Sequence, residues 1–104
     1  MRTTTKRVCE AFIAGKSRKV NNTETDGKTL TLFGNKIAEK NDDGSYTVTL
    51  AGHPTVTTRE RLNGLCDMLG LGRPFYQHKN RQFFNTDEIG EDDDIKIRSE
   101  ACPV

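Results

Sequence analysis

A chain of 104 residues is enough for one domain with a single core. Only 33% of the residues are apolar and 30% are charged, so that core must be economical, and no apolar run approaches the ~18 residues of a membrane span. The formal net charge of +1 argues against a dedicated nucleic-acid binder.

Met1 to Arg7 holds no apolar stretch long enough for a secretory signal. The spacing predicts a first helix over about residues 5–14, with Val8, Cys9, Phe12 and Ile13 on its apolar face and Gly15 as its C-cap. Residues 16–22 are polar, basic and without period, which reads as a loop. Residues 22–27 continue it to the Asp26-Gly27 turn signal. An antiparallel meander of three strands follows. Residues 29–33 alternate with Leu30 and Leu32 on one face. The Phe33-Gly34-Asn35-Lys36 connection favours a type II′ turn, and residues 36–40 return with Ile37 inward. After the Asn41-Asp42-Asp43-Gly44 turn, residues 45–51 set Tyr46, Val48 and Leu50 against Thr47 and Thr49.

Gly52-His53-Pro54 breaks the strand, and the clearest helix comes next, over residues 55–72. Thr57 lies three residues before Glu60, as in a capping box. Leu62, Leu65, Cys66 and Leu69 repeat at helical spacing, with Arg59 and Arg61 flanking the stripe. Gly70 and Gly72 offer a left-handed stop. Residues 74–78 and 82–85 read as a hairpin around Lys79, Asn80 and Arg81. Residues 86–94 read as an acidic loop. Residues 95–98 alternate over the shortest span read as a strand, and residues 99–104 read as a loose tail. The expectation is a single α+β domain over residues 1–104: helix, three-stranded meander, helix, β-hairpin, with that sixth short strand in reserve.

Charge is unevenly spread. Residues 1–19 carry a local +5 and residues 87–94 a local −6. Both read as solvated ends that attract each other, or as patches for a partner. Cys9, Cys66 and Cys102 are odd in number and widely spaced, as expected of reduced thiols in a cytosolic protein, with Cys9 and Cys66 serving as small core residues.

The runs N-T-E-T-D-G-K-T-L-T-L-F-G-N-K-I-A-E-K, A-G-H-P-T-V-T-T-R-E-R-L-N-G-L and F-Y-Q-H-K-N-R-Q-F-F-N resemble a group of small proteins encoded by tailed bacteriophages, over roughly residues 20–85. The resemblance implies a phage origin and action in the cytoplasm of the infected bacterial host. It supplies no catalytic or binding residues to carry over.

His53, His78 and Cys66 lack metal-ligand spacing, so no metal and no cofactor is expected. His78 with Lys79, Arg81 and Glu60 could serve a nuclease, but no base, nucleophile and orienting group are paired, and the expectation is no enzyme. A protein partner fits better: an exposed Tyr76 beside Arg59, Arg73 or Arg81 would concentrate binding energy if Phe75 faces the core. Together with the absence of a catalytic signature, the resemblance implies a non-enzymatic phage accessory protein that binds a host protein, inhibiting a host defence or redirecting host machinery. The alternative is a small RNA- or DNA-binding module on the hairpin of residues 73–84. It would use Tyr76 for stacking and His78, Lys79 and Arg81 with Arg18 and Lys19 for phosphates.

Overall fold

The meander read from the alternating residues is the middle of a larger sheet. The computed structural model describes residues 2–98, in the order α1 (Thr3–Ala14), β1 (Arg18–Val20), β2 (Thr23–Thr25), β3 (Thr29–Leu32), β4 (Asn35–Lys40), β5 (Tyr46–Val48), α2 (Val56–Met68), β6 (Phe75–His78), β7 (Arg81–Phe84), β8 (Asp87–Ile89) and β9 (Ile95–Ile97). The strands form two antiparallel sheets, β1-β2-β3-β4-β5-β9 and β6-β7-β8. This is the expected α+β class, with more strands than expected. The tail of residues 99–104, and Cys102 with it, lies outside the described residues.

Residues 18–25 form a hairpin where a loop was expected. The inward positions of β2 are Thr23 and Thr25, so no apolar alternation marks the strand. Threonine is nonetheless β-branched and suits a pleated surface. The turn into β4 also differs. Phe33 and Gly34 both have positive φ, 52° and 80°, and Leu32 pairs with Asn35, so the turn is type I′ and begins one residue earlier than expected. A register shift between Leu30 and Thr31 then turns both Ile37 and Ala38 into the core. β9 is formed as expected and closes the sheet against β5, with Tyr46 opposite Ile97.

The predicted stripe of α2 is fully buried at Leu62, Leu65, Cys66 and Leu69. Its cap is Thr55, not Thr57: Thr55 Oγ1 accepts from the Thr58 N–H at 3.2 Å. At the other end Gly70 has φ 83°, and the Leu71 N–H reaches the Cys66 carbonyl at 2.8 Å, a Schellman closure that needs the left-handed glycine. α1 ends on Gly15 as expected.

Arg61 does not flank the stripe at the surface; it is 4% exposed. Nε donates to Thr23 Oγ1 at 2.8 Å and Nη1 to Thr5 Oγ1 at 2.7 Å. Nη1 also meets the Glu60 carboxylate, and Nη2 reaches Asn22 Oδ1 at 3.3 Å. One guanidinium therefore joins α2 to α1 and β2, and every bond it gives has an oxygen to receive it. A buried charge requires that. Glu60, expected to cap the helix, completes this cluster by also accepting from the Thr5 hydroxyl.

Residues 87–89 form β8 rather than a loop, paired with β7 across a turn at Asn85 and Thr86. Among the described residues no ion pair joins the basic residues 2–19 to the acidic residues 87–94. Glu88 pairs with Arg81, and Asp43 takes both Lys96 and Arg98.

Candidate functional site

The second sheet stands against α2 through two polar clamps. Arg59 Nη1 donates to the Pro54 carbonyl at 2.8 Å, to Gln82 Oε1 at 2.9 Å and to Gln77 Oε1 at 3.2 Å. One turn further along α2, Asn63 brackets the backbone of Phe75: Nδ2 donates to its carbonyl and Oδ1 accepts from its N–H, each at 2.8 Å. Residues 59 and 63 are four apart and share a helix face, so one face of α2 positions the whole of β6.

Alternation along β6 and β7 then sorts the aromatics. Phe75 is 3% exposed and meets Phe84 edge-on, with centroids 5.1 Å apart. Tyr76 is 44% exposed on the opposite face and stacks on Phe83 at 5.2 Å with planes 9° apart. Such pairs are worth about 0.5–1.5 kcal/mol beyond the area they bury. Tyr76 is therefore a half-exposed aromatic with one face packed on Phe83.

Between α2 and β6 runs an open groove of about 730 Å³. Val56 and Tyr76 give its exposed apolar surface, above the buried Phe75, and Arg2, Arg59 and Arg73 its positive charge. The structure thus brings together three of the residues singled out for a protein partner, Tyr76, Arg59 and Arg73. The fourth, Arg81, lies on β7 outside the groove and pairs with Glu88 at 3.4 Å. Arg59 differs from expectation in kind: its guanidinium is held by three neutral oxygens, so it is a fixed part of the groove and not a loose surface cation.

The residues of the nucleic-acid alternative are not gathered. His78, Lys79 and Arg81 sit at the β6–β7 turn, where Lys79 itself has φ 51°. Arg18 and Lys19 lie on β1, at the edge of the other sheet. One face of Tyr76 is occupied by Phe83, and β8 brings Asp87 and Glu88 directly beside β7. Carboxylates there oppose a phosphate backbone.

Several groove residues escaped the sequence reading; Arg2, for one, counted there only toward the basic charge of residues 1–19. Val56 is 64% exposed at the first position of α2. It is apolar but off the helical stripe, and that mismatch was the available signal. Asn63 and Gln77 are polar residues of ordinary appearance, and only the tertiary geometry gives them a role. A second hollow, of about 260 Å³, lies on the other side of the α2 N-terminus against Leu50, His53 and Phe33. Phe33 is 71% exposed on its tight turn.

Cys9 and Cys66 are free and buried as expected of core residues, and burial pushes both thiols up to about 12. No helix among the described residues is long and apolar enough to cross a membrane.

Compared with known proteins, residues 1–98 match the family model described as Kyanoviridae Gp96 protein, a family of tailed-phage proteins. No curated protein and no solved structure matches the chain.

Proposed function

The chain belongs to the Kyanoviridae Gp96 protein family, and from that premise we propose that it is a non-enzymatic phage accessory protein that docks onto a protein of the infected bacterial host, in the host cytoplasm. Inhibition of a host defence and redirection of host machinery are the two ends such docking would serve. The observation that carries the reading is the groove between α2 and β6, where the exposed Tyr76, stacked on Phe83, and the exposed Val56 sit among Arg2, Arg59 and Arg73. Interface energy concentrates on aromatic and arginine anchors of this kind, and exposed apolar side chains rimmed by polar ones mark interaction sites.

The test is affinity capture from infected host lysate with and without nuclease. A host protein should be retained after nuclease, and Tyr76→Ala should reduce its capture while the free protein still folds, with a urea midpoint lowered only by the loss of the Phe83 stack. Capture that requires intact nucleic acid, or that is indifferent to Tyr76 in a folded variant, overturns the reading.

A further inference from the structure

β6 is an edge strand, and the hydrogen bonds around it show which of its backbone groups are open. The Asn85 N–H donates to the Pro74 carbonyl at 2.9 Å across the β6–β7 ladder. Antiparallel pairs alternate between those that exchange such bonds and those that turn their groups outward. Pro74, Tyr76 and His78 therefore bond inward to β7, and Phe75 and Gln77 turn their N–H and C=O to the free edge. Asn63 occupies the first of these outward pairs, its carboxamide imitating one residue of a neighbouring strand at Phe75. No side chain takes that role at Gln77 among the described residues. The groove continues from Asn63 along this edge to Gln77.

The surrounding charge identifies what would pair there. The three oxygens that hold Arg59 are neutral, so they leave its charge unbalanced. Glu60, the carboxylate lining the groove, is committed to the buried Arg61. Arg73 has Asp67 at 3.8 Å, both exposed, a pairing of small worth. A second copy of this chain laid edge to edge would set these arginines against their own equivalents, whereas a carboxylate-bearing segment would be matched.

We infer that the β6 edge receives an extended acidic segment of the partner protein as an added strand. Its main chain bonds to Gln77, its apolar side chains lie against Val56 and Tyr76, and its carboxylates face Arg2, Arg59 and Arg73. Strand addition takes its affinity from main-chain bonds and its specificity from alternate side chains. The inference rests on the docking reading above and specifies its chemistry.

Its test uses linear peptides selected from a random display library on the full chain. The enriched peptides should interleave acidic and apolar residues. A synthetic copy N-methylated at alternate residues, in the register that removes its bonds to the edge, should bind about tenfold more weakly or worse, the loss of one or two hydrogen bonds. Arg73→Glu should weaken the unmodified peptide by a similar factor. Gln77→Pro removes the outward N–H together with the carboxamide that Arg59 and Gln82 meet, and should match the N-methyl effect, while Gln77→Ala, which removes that carboxamide alone, should cost less than about threefold. If Gln77→Pro fails to fold, the N-methyl peptide still decides. An empty selection, enriched peptides without acids, or indifference to N-methylation overturns the inference. So does a wild-type dimer in sedimentation that Gln77→Pro dissociates, which would make a second copy the occupant. If these fail while host-protein capture still depends on Tyr76, strand addition falls and the docking reading stands. If capture is also indifferent to Tyr76, both fall.

Discussion

Replacing Arg61 with methionine keeps an unbranched apolar stem and removes the charge and the donors. The guanidinium is 4% exposed and bonds Thr5, Thr23, Asn22 and Glu60. Removing one partner of a buried ion pair costs about 3–5 kcal/mol, because the other charge is left without compensation. Glu60 keeps 21% of its side-chain surface in water and retains the Thr5 hydroxyl, so the cost should lie near the low end, about 3 kcal/mol. That is a large share of the roughly 5–15 kcal/mol that holds a domain folded. Urea unfolding at pH 7 should show a lower midpoint at unchanged slope. The effect should also depend on pH. Burial pushes the Glu60 carboxyl up, but hydrogen bonds from the Thr5 hydroxyl and the Arg2 N–H, together with Arg61, outweigh it and leave the group below its ordinary value of 4.5. A carboxyl depressed on folding gives stability that is complete above the unfolded value and is lost as pH falls through the folded one. The gap between wild type and Arg61→Met should therefore narrow in acid. A midpoint shift worth under about 1 kcal/mol at pH 7 would mean that the cluster does not join α1, α2 and β2 as described.

Thr55→Ala should cost about 1 kcal/mol by urea unfolding and Thr57→Ala within about 0.5 kcal/mol of nothing, because only Thr55 caps α2. Equal effects would return the cap to Thr57. Phe33→Asn should stabilise by about 1 kcal/mol, since an aromatic residue at φ 52° carries a left-handed strain that asparagine tolerates, and a ring 71% exposed buries little to offset it. A lower melting temperature would show that the ring's packing in the neighbouring hollow outweighs that strain. Mass-spectrometric mapping with a thiol reagent at neutral pH should find Cys9 and Cys66 unmodified in the folded protein and modified after denaturation, because burial holds both thiols near 12.

What the sequence made legible was carried by apolar period. The α2 stripe, the face of α1 and the inward Leu30, Leu32, Tyr46, Val48 and Leu50 all rest on it, and all but the half-buried Ile13 of α1 are buried. The outward turn of Tyr76 followed from Phe75 by simple alternation. The elements that escaped are those whose buried positions are polar. β2 buries Thr23 and Thr25, and β8 is an acidic strand with Ile89 as its one apolar residue. The spacing of Thr57 to Glu60 suggested a capping box, but Glu60 turns to Thr5 and Arg61, and Thr55 takes the cap.

The same economy explains why the groove was only half visible. With 33% apolar residues, this chain fastens its elements to one another by side chains that bond backbone or other side chains. Arg61 ties α2 to α1 and β2. Arg59 and Asn63 tie α2 to the second sheet. In the sequence such residues are indistinguishable from solvated helix positions. Arg59 was read as a surface cation for that reason, and it proves to be the residue that sets the width of the groove by holding Gln77 and Gln82 against the first turn of α2. A truncation of Arg59 would therefore alter the groove and its charge together. Arg73, 62% exposed and paired among the described residues with Asp67 at 3.8 Å, takes no part in the bonds that hold β6 to α2, and it is the cleaner probe of whether acidity in a partner is what the groove reads.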